Sequence, residues 1–235
     1  MTIWRLSWQS ALRRRRLFLW NVVLPLLLLA PVAMSDAAAP HRVAVYGVFL
    51  VFFGTFGSAI PAVSDARDGW LDEIFRTNCS SMRWLWERTL AETSIDLLQT
   101  LPAILILLFT GAGLSSFLGT LMSVAIALLF ANLIGPLIAA MVRSLAEAAL
   151  AGAAISLGLL HYAGFFRPPV SGWTLTLAMW NPYTPLRSGL QGSVSGAAFG
   201  EMLGWGLPLL SITIMGLLIF IFSSRWTRHL RWPNA

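Results

Sequence analysis

Long apolar segments, almost free of charge, are the feature of this chain that most limits how it can fold. An α-helix needs about 20 apolar residues to cross the roughly 30 Å hydrocarbon layer of a bilayer. Charged residues make up 11% of the chain, and its mean hydropathy is +0.73. We therefore predict an all-α membrane protein, a single transmembrane domain over residues 1–235, with six transmembrane helices at 17–34, 43–63, 95–112, 117–141, 145–165 and 202–223.

The distribution of arginine predicts how the spans are oriented. All sixteen basic residues are arginine, and the positive-inside rule places the arginine-rich flanks in the cytoplasm. With both termini cytoplasmic, thirteen arginines lie inside, and only Arg42, Arg167 and Arg187 lie outside. The absence of lysine and the richness in Ala, Leu and Gly are typical of GC-rich bacteria. We therefore expect a multi-pass protein of the bacterial cytoplasmic (inner) membrane.

The segment 1–16, ahead of the first span, combines apolar and basic residues. Trp4, Trp8 and Leu12 recur at helical spacing, and the run Arg13–Arg16 follows them. This pattern is typical of an amphipathic helix lying in the inner membrane interface. An unstructured basic anchor is the alternative.

The segment 166–201 interrupts the last part of the chain. Pro168-Pro169 and then the stretch from Asn181 to Pro185 break any continuous helix, while the residues between them are apolar. We predict two short re-entrant helices here, between the fifth and sixth spans and at the outer face of the membrane.

The longest polar interruption is the segment 64–92, which holds six of the ten acidic residues. Apolar residues recur at helical spacing from Trp70 to Phe75, which predicts a short amphipathic helix capped by Ser64 or Asp65. A second helix is expected to resume at Met82 and to continue into the third span. Mixed charge with aromatic side chains is typical of a docking site for another protein. The alternative is a solvated loop whose tryptophans lie at the headgroup level.

The sequence lacks the motifs of several kinds of functional site. It contains no glycine-rich phosphate loop of the G-x-x-x-x-G-K-S type, so we expect no nucleotide site of that kind. The single cysteine, Cys79, excludes a disulfide within the chain, and the three scattered histidines do not have metal-ligand spacing. The arginines flank apolar segments, which favours lipid contact over nucleic-acid binding. We predict no catalytic residue, metal or cofactor in this chain.

Taken in order, these features resemble the permease subunits of ABC-2 type exporters. The resemblance lies in the six spans, the amino-terminal interface helix and the acidic stretch from Asp65 to Glu73 around Gly69. It also lies in the Asn-Pro-x-x-Pro segment at Asn181 to Pro185. The resemblance implies that the short helix after the second span is a coupling helix, which docks on a separate ATP-binding subunit. Its implied contact residues are Asp68, Trp70, Asp72, Glu73, Phe75 and Arg76.

The resemblance further implies the assembly and the activity. Two copies of the permease, most simply a homodimer, would work with two ATPase copies that hold ATP and Mg²⁺. The chain would be a transport subunit and not an enzyme, and it would export an apolar or amphipathic cargo such as a drug, peptide, lipid or glycolipid by alternating access. The implied outer gate is Asn181, Pro182, Tyr183 and Pro185.

Aromatic residues on the second span suggest a possible cargo path. They recur at three- and four-residue spacing and lie largely along one face of the helix: Tyr46, Phe49, Phe52, Phe53 and Phe56. The alternative is that these side chains pack against lipid or neighbouring helices. The polar residues Asn21 and Asn132 are expected to form interhelical hydrogen bonds before they contact cargo.

Two other classes of membrane protein remain as alternatives. Asp65, Asp68 and Gly69 match the first half of the D-x-x-D-G pattern of CDP-alcohol phosphotransferases, membrane-embedded enzymes that act on lipid-linked substrates. The later carboxylates that complete such a two-metal site are absent. A transporter driven by an ion gradient would normally need ionisable residues at the membrane midplane and an internal repeat, and neither is evident in the sequence.

Overall fold

The computed structural model describes residues 2–77, 79–111, 116–170, 172–195 and 206–230, with the side chains of 220 and 222–230 left out. Within these ranges the chain forms ten α-helices and no strands. The helices are α1 (Ile3–Arg13), α2 (Arg15–Met34), α3 (Ala39–Arg67), α4 (Trp70–Arg76), α5 (Ser81–Thr110), α6 (Phe117–Met141), α7 (Leu145–Tyr162), α8 (Gly172–Trp180), α9 (Thr184–Ser195) and α10 (Gly206–Leu230).

Five helices are long and apolar enough to cross a membrane: α2, α3, α5, α6 and α7. They correspond to the first five predicted spans, and α7 ends at Tyr162, slightly before the predicted boundary at 165. In α10 the stretch Gly206–Ile219 is apolar but shorter than a full span. Residues 201–205 lie outside the described ranges. The sixth span at 202–223 therefore stays a prediction.

Helix α6 lies at the centre of the bundle, and α3 packs closely along it. A Cβ atom placed on Gly135 of α6 would lie 2.5 Å from the Cβ of Ser58 on α3. One placed on Gly54 of α3 would lie 2.9 Å from the Cβ of Ala131 on α6. Small residues on both helices thus allow the two backbones to approach each other.

Helices α3 and α5 are longer than a bilayer requires. They contain 29 and 30 residues, so each is roughly 44 Å long. The carboxyl end of α3 and the amino end of α5 meet in a polar extension that carries α4 between them. We call residues 64–92 the α3–α5 hairpin; Asn78 lies outside its described part.

The predicted start of α4 is wrong. Ser64 and Asp65 do not cap this helix, because α3 continues through them to Arg67. The chain instead turns at Gly69, whose φ of 76° lies in the left-handed region that only glycine adopts readily. Apolar periodicity located the helix, but it could not show that the preceding span continued through polar residues. The prediction that the helix beginning near Met82 runs into the third span is confirmed, since α5 is continuous from Ser81 to Thr110.

Two short helices, α8 and α9, lie in the segment 166–201, although 171 and 196–201 are outside the described ranges. The turn between them is tightly packed. Asn181 Nδ2 donates to the carbonyl oxygen of Leu159 at 2.8 Å, and Asn181 Oδ1 accepts from the Tyr183 amide at 2.9 Å. Whether α8 and α9 re-enter the outer leaflet stays a prediction.

The amino-terminal segment is helical, as the spacing of its apolar residues predicts. Thr2 caps α1 by accepting from the Arg5 amide, and Glu87 of α5 also accepts from its first turn. Glu87 Oε2 lies 2.6 Å from the Ile3 amide nitrogen and 3.3 Å from that of Trp4. Helix α1 is therefore attached to the α3–α5 hairpin. Its location in the membrane interface stays a prediction.

Candidate functional site

The exposed face of α4 forms the tip of the α3–α5 hairpin. Trp70 is 60% exposed at this tip. The charged side chains of Asp68, Glu73 and Arg76 are exposed beside it. An aromatic side chain surrounded by charges of both signs is a typical anchor for a protein partner.

The opposite face of α4 is buried, and an aromatic contact joins it to α5. Leu71 is 1% exposed. Phe75 packs edge-on against Trp84, with the ring centroids 5.9 Å apart, and Trp84 is itself 1% exposed. A displacement of α4 would therefore move the amino end of α5 with it, because well-packed side chains do not slide independently.

Beneath Trp84, an arginine joins the two long helices of the hairpin. Arg88 is 6% exposed, and its guanidinium lies 5.3 Å from the centre of the Trp84 ring. It donates to Asp65 Oδ2 on α3 and to Glu92 Oε1 on α5, both at 2.7 Å. A buried cation held by two carboxylates and an aromatic face fixes the geometry of the surrounding helices.

The polar contacts continue from Arg88 into the centre of the bundle. Ser58 of α3 donates to Glu92 Oε2 at 2.7 Å, and its Oγ also lies 3.0 Å from the Asn132 carbonyl oxygen on α6. Asn132 Nδ2 donates to Asp96 Oδ2 of α5 at 2.9 Å. We call Asp65, Arg88, Glu92, Ser58, Asn132 and Asp96 the polar seam. It connects the hairpin to α3, α5 and α6.

One comparison with known proteins identifies the family. The sequence model of the ABC-2 type transporter family matches residues 1–194, which contain the hairpin, the first five spans and most of the α8–α9 segment. The chain belongs to the ABC-2 type transporter family. No curated protein sequence gives a significant match. ABC-2 membrane subunits are transport proteins and not themselves enzymes, and they typically work with an ATP-binding subunit.

The six predicted coupling residues of this ABC-2 chain do not share one face. Four are exposed: Asp68, Trp70, Glu73 and Arg76. Asp72 and Phe75 are half-buried, and Phe75 faces Trp84. The four exposed residues are available to a partner, whereas Phe75 supports α4 from below. Their role in coupling stays a prediction.

The aromatic residues predicted along one face of the second span differ in burial in the structure. Tyr46 is fully buried, with its hydroxyl 3.2 Å from the carbonyl oxygens of both Leu29 and Ala103. The half-buried remainder forms two pairs: Phe49 stacks on Phe53 with centroids 5.7 Å apart, and Phe52 meets Phe56 edge-on at 5.1 Å. Tyr46 therefore has a packing role in this conformation, and a cargo path along the phenylalanines stays a prediction.

The four predicted gate residues, Asn181, Pro182, Tyr183 and Pro185, are buried. Tyr183 is fully enclosed and packs edge-on against Phe130 of α6, with the centroids 5.4 Å apart. In the ABC-2 subunit these residues hold the α8–α9 turn against α6 and α7. Whether this turn also gates an exit stays a prediction.

Residue-by-residue inspection of the sequence missed the polar seam. The i,i+4 spacing of Arg88 and Glu92 is a readable signal, since such pairs face each other on a helix. The long-range contact from Arg88 to Asp65 has no local signal. The expected interhelical hydrogen bonding of Asn132 is confirmed by its bond to Asp96.

Proposed function

We propose that this chain is the permease subunit of an ATP-driven exporter that moves an apolar or amphipathic cargo out of the cytoplasm. The observation that carries the proposal is the exposed, mixed-charge face of α4, held on a rigid support in a chain of the ABC-2 family. A separate ATP-binding subunit docks on this face through Asp68, Trp70, Glu73 and Arg76. ATP and Mg²⁺ bind to that partner subunit.

The contacts of the hairpin support a mechanical link from this docking face to the spans. Force on α4 passes through the Phe75–Trp84 contact into α5. Arg88 joins α5 to α3 through Asp65, and Ser58 with Asn132 joins both helices to α6. Closure of two ATPase copies would tilt these helices as a unit and would switch the permease between two packings.

The proposed assembly contains two copies of the permease and two of the ATPase. Helix α2 supports this arrangement, because its outer surface is apolar and exposed along much of its length: Leu19, Trp20, Leu27 and Leu28 are each more than half exposed. Such a face can pack against lipid or against a second copy. The homodimer, with the phenylalanine pairs of α3 along the path between the copies, is the simplest arrangement.

Co-purification with the ATPase tests the docking face. We expect the chain to bind a Walker-type ATPase encoded by the neighbouring reading frame and to stimulate its vanadate-sensitive ATP turnover. Trp70→Ala should weaken complex formation by about tenfold or more, because a large aromatic anchor is lost. The matched control is Trp173→Ala in α8, since Trp173 is similarly exposed, at 66%, but lies outside the hairpin.

Equal ATPase binding by the wild type and the Trp70→Ala variant would refute docking through this face. Loss of binding by the Trp173→Ala control as well would also refute it, because the effect would then not depend on the hairpin.

A membrane-embedded CDP-alcohol phosphotransferase is not favoured by the family match. The carboxylate of Asp65, the first residue of its D-x-x-D pattern, is engaged by Arg88 at 2.7 Å. Asp68 accepts a hydrogen bond from Ser64 at 3.3 Å.

A further inference from the structure

A buried carboxylate in the polar seam has no cationic partner among the residues that the structure describes. Asp96 is 8% exposed, and its recorded side-chain partner is the neutral amide nitrogen of Asn132. Isolated charges in an apolar interior are costly, so an intramembrane carboxylate of this kind suggests a function.

The charges of the seam do not balance. Asp65, Glu92 and Asp96 supply three carboxylates, while Arg88 supplies the one cation recorded among the described side chains of the seam. Arg88 already donates to Asp65 and to Glu92, and Asp96 lies one helical turn beyond Glu92. The described side chains of the seam therefore carry more negative than positive charge, and an added positive charge near Asp96 would be stabilised by its carboxylate.

The same place contains an unsatisfied acceptor. Asn132 is fully buried, its Nδ2 faces Asp96, and its Oδ1 has no hydrogen-bond partner among the described residues. Buried polar atoms are normally satisfied, so an unused acceptor beside an unpaired carboxylate indicates a site for a missing donor or cation.

An exposed glycine of α3 lies beside this site. Gly57 is exposed, and a Cβ atom placed on it would lie 3.9 Å from both carboxylate oxygens of Asp96. Phe53, which stacks on Phe49, lies one turn away on the same face of α3. A ligand that enters at Gly57 would thus meet an aromatic pair on one side and a carboxylate on the other.

We propose that Asp96 and Asn132, approached at the exposed Gly57, bind the positively charged group of an organic cation whose apolar body packs on Phe49 and Phe53. This inference rests on the proposed function, and it names the cargo class as cationic amphiphiles. Carboxylate pairing supplies the charge selectivity, and the aromatic faces attract the same cation.

Two lipophilic ions of nearly equal shape and opposite charge provide the test. The purified permease, held in lipid nanodiscs without any ATPase, is incubated with tetraphenylphosphonium or tetraphenylborate, and binding to empty nanodiscs is subtracted. The expected result is saturable binding of the phosphonium ion that is lost by about tenfold or more in Asp96→Asn, which keeps the size of the side chain. Binding of the borate ion should not fall in this variant.

A second variant tests access to the site without changing its charge. Gly57→Leu places a branched side chain over the Asp96 oxygens at an exposed position, so it should fold normally and weaken phosphonium binding to a similar extent. Asp36→Asn, at an exposed position outside the helices, is the matched control and should bind as the wild type does. Thermal unfolding of each variant verifies that it is folded.

Three outcomes would overturn the inference: no saturable phosphonium binding, an unchanged affinity in Gly57→Leu, or an unchanged affinity in folded Asp96→Asn. Because the binding assay contains no ATPase, these outcomes leave the proposed pairing with an ATP-binding subunit intact. Conversely, failure of the co-purification experiment leaves this binding result interpretable.

Discussion

Arg88 joins the two long helices of the α3–α5 hairpin through its contact with Asp65. Replacement by glutamine should leave Asp65 and Glu92 without their cationic partner in a mostly buried site. Breaking such a pair from one side typically costs about 3–5 kcal/mol of stability. We therefore expect Arg88→Gln to lower the unfolding midpoint of the purified protein substantially.

The matched control for this substitution is Arg83→Gln. Arg83 also pairs with a glutamate four residues later, at 2.6 Å, but its side chain is 57% exposed. Water and salt screen such a pair, so its loss should change the unfolding midpoint much less. Similar midpoints for the two variants would contradict a structural role for the buried pair.

For single residues, the sequence predicted the type of interaction that a side chain makes better than it predicted the partner or the burial of that side chain. The hydrogen bonding of Asn132 follows from the high cost of an unsatisfied amide in a span, and it could be predicted. The contact between Arg88 and Asp65 joins residues 23 positions apart, and the direction in which α3 leaves the bundle determines it. Likewise, the complete burial of Tyr46 could not be predicted, because the same aromatic spacing occurs on packed and on exposed helix faces.

The close approach of α3 and α6 is the element-scale feature that most depends on small residues. Gly135→Ala would place a Cβ atom 2.5 Å from that of Ser58, so the helices must separate. We expect a loss of about 1–3 kcal/mol, as for other overpacked interiors, measured as a lower unfolding midpoint.

Gly158→Ala in α7 is the control for this prediction, because no atom of another described segment lies within 4 Å of the added Cβ. Alanine there should be neutral or stabilising by up to about 1 kcal/mol, since it restricts the unfolded chain and favours the helix. If both alanine variants are equally stable, the helix pair does not depend on close backbone contact.

The attachment of α1 to α5 is a second element-scale feature with a direct test. Glu87 accepts from the amides of Ile3 and Trp4. Glu87→Ala should accelerate hydrogen exchange of these two amides several-fold, because they lose their recorded acceptor. Glu73→Ala, at an exposed position on α4, should leave them unchanged. Unchanged exchange in Glu87→Ala would contradict the attachment.

The length of the apolar segments predicted which long helices exist, but it did not predict where those helices end. The five long apolar helices correspond to predicted spans because a bilayer requires that length. The end of α3 at Arg67 and the turn at Gly69 were missed, since polar residues that extend a span beyond the bilayer resemble a loop in sequence. A positive φ at a glycine becomes visible only in the folded backbone.

For the whole molecule, the central claim is that the α3–α5 hairpin lies in the cytoplasm, where an ATP-binding subunit can reach it. The arginine distribution favours this orientation. Cys79, the only cysteine in the chain, lies in the hairpin and is partly exposed. Its reaction with a thiol reagent therefore shows on which side of the membrane the hairpin lies. Burial raises the pKa of its thiol, while Arg83 and Glu87 act on it in opposite directions. Labelling should therefore be faster in mildly alkaline buffer.

The decisive measurement is labelling of Cys79 by a membrane-impermeant maleimide in intact cells and in inside-out vesicles. The positive control for outside access is Asp36→Cys in a Cys79→Ser background, because position 36 is exposed in the predicted outer loop between α2 and α3. We expect Cys79 to react in the vesicles and to remain unlabelled in intact cells, while the control shows the reverse. Labelling of Cys79 from outside intact cells would contradict the account.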